Sequence, residues 1–287
     1  LGDVYKRQQF GTLQNNGSID FGDGSAGFAD LGLRGDWSQH NDYFLDGAGT
    51  WMMHDILIGR NSSRLQPNAL GGTVYLQIQG DFENYDEFLG NAGTGMIDVA
   101  FAGRKRQYLR GNTTETAAAE THFHNLIIDN ANGLSDSNNS ADVHFESFGG
   151  GTIDYFVTGT LTLREGDLVT RDRVSSTIHN LTMRDSALIA SSGAKSNLGL
   201  NGSSFVDGPL RYEIEDANLT TRQFPVGKTK TVSGYALGDY RHLQLEVDHS
   251  TASKTTYQVE TWLDDRVATY TWPVSYTHLS LPPICSV

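Results

Sequence analysis

The chain has almost no cysteine. Cys285 is the only one in 287 residues. That excludes a disulfide framework, a zinc ribbon and an iron–sulfur site, and because Cys285 lies in the terminal segment read below as adapter, a cysteine nucleophile as well. Basic residues are also scarce, 21 against 34 acidic, for a formal charge of −13. A nucleic-acid binder needs a positive field to displace counterions from phosphates, so that class is set aside. An acidic surface serves solubility, with calcium as its sharper use. No run approaches the roughly 18 consecutive apolar residues of a membrane helix. Helical periodicity is nearly absent. Only the Thr114–Glu120 stretch (TETAAAE) suits a turn or two of helix, too short to stand alone.

The two ends read differently from the middle. Leu1–Gln8 (LGDVYKRQ) and Val274–Leu279 (VSYTHL) back-translate to opposite strands of a transposase mosaic end used to tag sequencing libraries. Ser280–Val287 reads as further adapter in frame. Residues 1–8 and 274–287 are therefore expected to be adapter-derived scars, to be excluded from fold reasoning and to pack against nothing of substance. Removing those 8 and 14 residues from 287 leaves 265, with 19 basic and 33 acidic residues. On this reading any signal peptide or sorting domain of the parent protein lies beyond the fragment.

What fills the middle is short alternating apolar runs separated by Gly, Asn, Asp and Ser, the pattern of strands and turns. Examples are Val74–Gln79, Ile97–Phe101, Leu126–Ile128, Val143–Phe145, Leu161–Leu163 and Leu181–Met183. Taking Leu76, Val99, Leu126, Val143, Leu161, Leu181 and Leu200 as markers, the steps are 23, 27, 17, 18, 20 and 19 residues. His124–Leu134 and His179–Leu188 are also alike, both opening on His-Asn-Leu. A step near 20 is solenoid spacing. The fold expected is all-β: a parallel β-helix-like solenoid whose coils bury their apolar sides only by stacking. Leu126, Ile128, Leu161, Leu163, Leu181 and Met183 should point into one interior. A β-sandwich throughout is the alternative. Residues 9–70 read as Gly/Asp/Asn-rich N-terminal coils and 71–215 as the repeat region. Residues 216–273 read as a truncated antiparallel β-sandwich-like unit, because the runs Tyr240–Val247 and Thr256–Trp262 are longer.

Several motifs follow one another in order. Gly80–Asn84, Phe88, Gly93–Gly103 and Gln107–Gly111 come first. Phe123–Ile128 and Val157–Leu163 follow, then Phe205–Leu210 and Phe224–Lys228. In sequence they resemble the series found in large secreted surface proteins of Bacteroidetes-type bacteria, many exported by the type IX system. The resemblance spans Val74 to Val247. It departs at Thr229–Gly238, which is longer, and at His242 after Tyr240-Arg241. It implies an extracellular, adhesin-like or scaffold protein without a defined catalytic site.

Candidate chemistry is thin. Gly227-Lys228-Thr229 resembles the end of a phosphate loop, but Arg222 stands where that loop needs its first glycine. His122 and His124 share a face if they lie on one strand, with His144 as a third zinc ligand. Asp20, Asp23, Asp30, Asp36, Asp42, Asp46 and Asp55 sit among glycines, the ligand chemistry of calcium, but in neither known calcium-loop spacing. Asp185-Ser186-Ala187 resembles an O-glycosylation acceptor of such bacteria. There is no nucleophile elbow, and no catalytic pair stands out among the acids. The expected function is that of a non-enzymatic section of a cell-surface repeat protein, an adhesin or extracellular scaffold meeting glycans or cell-surface partners. A polysaccharide lyase or glycoside hydrolase on the same scaffold is the runner-up. No catalytic or cofactor residue is assigned, and calcium is the candidate cation.

Overall fold

The computed structural model describes residues 11–14, 18–20, 31–33, 41–46, 50–58, 63–67, 69–111, 121–130, 142–147, 151–171, 177–191, 204–215, 219–232, 235–248, 254–262 and 276–280. Its strands fall into three sheets of ten, eight and nine strands. The chain visits them in rotation. Thr121–Phe123 belongs to the first sheet, Asn125–Asp129 to the second and Val143–Ser147 to the third. The next circuit repeats the order with Asp154–Val157, Thr160–Glu165 and Leu168–Val169. Seven circuits are complete, each paired in parallel with the one before. This is the β-helix-like solenoid the alternating runs predict. At about 4.8 Å per coil, the eight parallel strands of the first sheet make a column roughly 34 Å long.

The repeat is longer than the marker residues suggest. In the second sheet Leu76 pairs with Val99, Val99 with Leu126 and Leu126 with Leu161, steps of 23, 27 and 35 residues. Val143 belongs to the third sheet and Leu181 to the first. The step near 20 therefore came from counting strands of different faces as one series. Leu200 lies outside the described residues. Extra residues between strands, such as those between Gly111 and Thr121, lengthen a circuit without disturbing the pairing.

The six residues expected inside are all inside. They form two columns. Leu126 and Ile128 stack on Leu161 and Leu163 in the second sheet, while Leu181 and Met183 stack on Tyr155 and Val157 in the first. Period-2 alternation sends every second side chain of all three sheets to one shared core. Aromatics thicken its middle. Phe82 meets Phe88 edge-on at 5.3 Å, Phe88 meets Phe123 at 5.4 Å and Phe145 meets Tyr155 at 4.5 Å. The buried Tyr155 hydroxyl donates to the Leu109 carbonyl at 3.3 Å.

Corners are polar and tightly drawn. Gly90 ends a first-sheet strand, and its N–H donates to the His122 carbonyl one coil on. A Cβ there would stand 2.2 Å from the His124 nitrogen, so only glycine fits. The two His-Asn-Leu segments have the same job at different corners. The Asn125 side-chain amide donates to Asp98 at 2.9 Å, and that of Asn180 donates to Asp154. The Asn125 carbonyl also accepts the Thr160 N–H at 2.7 Å, linking three successive coils.

Antiparallel pairing enters at the C-terminal end, where the strands continue the solenoid. Thr220–Val232 joins the third sheet beside Val206–Asp207 and folds back as a hairpin with Tyr235–Val247. Thr255–Trp262 runs antiparallel beside Leu210–Ile214 in the first sheet. Among the described residues the eighth circuit has no second-sheet strand, and the first and third sheets meet directly, with Tyr212 against Phe224 at 5.2 Å. This sandwich-like end shares the solenoid's core through Phe224, Val226, Tyr257 and Val259. Tyr276–Ser280 departs from expectation. It pairs antiparallel with Thr255–Trp262 instead of packing against nothing. The reason is general: an open sheet edge offers unmet N–H and C=O groups, and any extended segment can satisfy them. Leu1–Gln8 and Thr114–Glu120 lie outside the described residues.

Two stability predictions follow from this packing. Leu161 lies between Leu126 and Ile189 with no solvent exposure. Leu161→Ala should cost about 2–5 kcal/mol in chemical denaturation. An unchanged midpoint would show that the coil interior is not packed as described. For Asp98, burial raises the carboxyl above its usual 3.8, against the lowering effects of the Asn125 bond and the His124 charge. A raised acid favours the fold below its unfolded pKa, and that contribution is lost as pH rises through the folded value. Asp98→Asn, which keeps an acceptor for Asn125, should therefore equal or exceed the parent in Tm at pH 7. Its advantage should vanish as the pH is lowered to about 4, read as the difference in Tm across pH.

Candidate functional site

The predicted histidine cluster does not assemble. His122 points outward from the first sheet and stacks on Phe156 at 4.8 Å. His124 sits where the chain turns from the first sheet into the second, so the two do not share a strand face. His144 lies on the third sheet, 3.8 Å from an Asp142 oxygen and 6.0 Å from the Tyr108 ring. Alternation was the wrong template for a segment with a corner in it. Among the described residues, no group of three or more His, Cys, Asp or Glu could hold a metal ion.

Three of the seven N-terminal aspartates, Asp23, Asp30 and Asp36, lie outside the described residues; Asp20, Asp42 and Asp46 lie on described strands. Asp55 is described, and it has a structural task. Its carboxylate accepts the Asp81 N–H at 2.6 Å. Asp81 in turn accepts the Tyr108 N–H at 2.8 Å. Asp142 accepts the Asp167 N–H at 3.2 Å, and Asp167 that of Phe205 at 3.3 Å. At the entry to the third sheet, an aspartate recurrently ties its coil to the next.

Gly227-Lys228-Thr229 lies in a long strand, and Lys228 pairs with Asp207 at 2.6 Å. That is no phosphate loop. Asp185-Ser186-Ala187 forms a turn with Ser186 exposed. Asp185 accepts the Glu215 N–H at 2.8 Å, and Ala187 is buried.

Sequence reasoning missed two outward-facing arrangements. The first is on the third sheet. Glu83, Arg110 and Glu146 are cross-strand neighbours in three consecutive coils. Arg110 reaches Asp81 at 2.7 Å, Glu83 at 2.9 Å and Glu146 at 2.6 Å, and lies 4.3 Å above the Tyr108 ring. Burial pulls the guanidinium pKa down, but the Glu146 bond and the other carboxylates outweigh it and hold it well above its usual range. Asp81 is nonetheless raised, because burial outweighs both the Tyr108 N–H and its share of Arg110.

The second is on the first sheet. His122, Phe156, Thr182, Arg211 and Gln258 occupy one column on the side away from the core across successive strands, with Thr182 itself buried beneath its neighbours. The His122 and Phe156 rings are nearly parallel, 18° apart. Arg184 lies 4.1 Å over the Phe156 ring and pairs with Glu213, which also takes Lys254 at 2.9 Å. Asp154 and Asn180 border the strip on one side. A phenylalanine on the solvent side of a strand, aligned with a histidine one coil away, is a signal visible only once the register is known. Coil spacing of about 4.8 Å sets the rings in reach of each other.

No family model, curated protein or solved structure matches the chain.

The third-sheet cluster supports a test of its own. Arg110→Gln would leave Asp81, Glu83 and Glu146 facing one another. The loss should be about 1–3 kcal/mol at pH 7, tempered by partial exposure. It should shrink as the pH falls into the carboxylate range and the acids are neutralised. A loss independent of pH would assign Arg110 a packing role only.

Proposed function

We propose that the chain is a section of an extracellular, cell-surface solenoid, a non-enzymatic adhesin or scaffold that holds glycans along the outer face of its first sheet. The observation that carries this reading is the half-buried stack of His122, Phe156 and Arg184 on a regular parallel sheet. Such a strip is apolar along its middle and bordered by amide, hydroxyl and carboxylate groups. Sugar rings can lie along the open edge of this stack while their hydroxyls find Asp154 and Gln258. The resemblance to secreted surface proteins points the same way. A single strip binds weakly, on the order of millimolar to micromolar, and repetition along a rigid column turns weak contacts into adhesion.

The polysaccharide-cleaving alternative has one observation in its favour, the three carboxylates gathered at Arg110. Glycoside cleavage uses a carboxyl pair in which one acid is free to give a proton. Here all three are committed to one guanidinium, which ranks this reading second.

A panel of polysaccharides presented to the purified chain tests both. Binding to at least one polymer, weakened at least fivefold by Phe156→Ser with the fold intact by circular dichroism, is the expected result. Retention of no polymer would sink the glycan reading. Release of reducing or unsaturated oligosaccharides, lost in Glu83→Gln or Glu146→Gln, would establish the enzyme instead.

A further inference from the structure

Arg211 stands apart from the other arginines of the first-sheet face. It projects from the middle of Leu210–Ile214, cross-strand from Thr182 on one side and Gln258 on the other. Its Nε donates to the Gln258 side-chain oxygen at 2.7 Å, which orients the guanidinium plane. No carboxylate of the described residues pairs with it. Its neighbour on the same strand, Glu213, is occupied by Arg184 and Lys254. Glu260, further along the adjacent strand, is occupied by Arg171. Asp154 acts on it only as a more distant charge. The group is half-buried, and burial pulls its pKa below the usual arginine value more than Asp154 restores it. A partly desolvated cation with no counter-ion is costly unless a ligand supplies one.

We propose that Arg211 is a binding residue for a carboxylate carried by the glycan, so that this face selects uronate-bearing polysaccharides. The inference rests on the glycan-binding reading and adds the substrate class. Its geometry is direct. With Nε held by Gln258, the two terminal nitrogens remain to meet a planar carboxylate, the anion that matches a guanidinium fork best. Phe156 lies two coil steps away across Thr182, roughly 10 Å at the spacing of parallel strands. One extended saccharide chain lying along the column therefore reaches both the aromatic strip and the charge. The chain as a whole is acidic, so long-range attraction opposes an anionic ligand. Selection must come from this local pair of contacts, which makes it sensitive to a single substitution.

The experiment compares polygalacturonate with the same polymer after carboxyl reduction, by affinity electrophoresis or calorimetry at two salt concentrations. The parent should bind the uronate form about tenfold more tightly than the reduced form, the scale of one charge-assisted bond. Arg211→Gln should remove that preference, bringing the two polymers to the same affinity; Arg211→Lys should restore only part of it. Phe156→Ser should weaken both polymers alike. If the parent binds the two polymers equally, or Arg211→Gln keeps the preference, the proposal is overturned while glycan binding stands. If neither polymer nor any other glycan binds, the proposal falls together with the reading it rests on.

Discussion

Everything in this molecule depends on parallel pairing of each strand with its counterpart one circuit later. Among the described residues, a short strand such as Asn125–Asp129 has no hairpin partner and no helix to cover it. Its N–H and C=O groups are met only by the coils on either side, and its inward side chains are covered only by the stack. Circuit length is free to vary, because residues added between strands leave the pairing intact. The ends are exposed to the opposite problem. The C-terminal hairpin and the antiparallel strand beside Leu210–Ile214 close one end by changing direction.

The acidic balance acquires a meaning in that frame. Aspartates at the entry to the third sheet accept amide bonds from the following coil, as Asp55, Asp81, Asp142 and Asp167 do. Asp98 and Asp154 accept from asparagine side chains at other corners. A carboxylate reaches across a coil step without needing the donor that an amide would also bring. Part of the acid content is thus mortar between coils.

With the interior committed to packing, function is left to the outer faces. They differ. The third sheet carries a charge cluster closed on itself around Arg110, whereas the first carries a stacked aromatic strip ending at an arginine that no carboxylate of the described residues pairs with. A self-satisfied cluster stabilises; an open one has something left to bind. The proposed role as a glycan-holding surface follows from that contrast and from the regular spacing that sets the groups in line.

The sequence by itself determined the class of fold and the inward residues. Alternation in Leu126–Ile128, Leu161–Leu163 and Leu181–Met183 is local, and a period of two needs no knowledge of neighbours. The self-similar segments at His124 and His179 open strands of different sheets, so their likeness does not mark successive coils of one face. Tertiary structure alone decided the register. Which run stacks on which depends on how many residues each corner holds, so Val143 and Leu181 could not be assigned to their faces from spacing. For the same reason the histidines read as one cluster are spread over three places. The His122–Phe156–Arg184 stack and the position of Arg211 arise between residues 34, 28 and 27 apart in the chain. Their adjacency exists only because parallel coils bring them within one strand spacing of each other, a property of the stack and not of any segment.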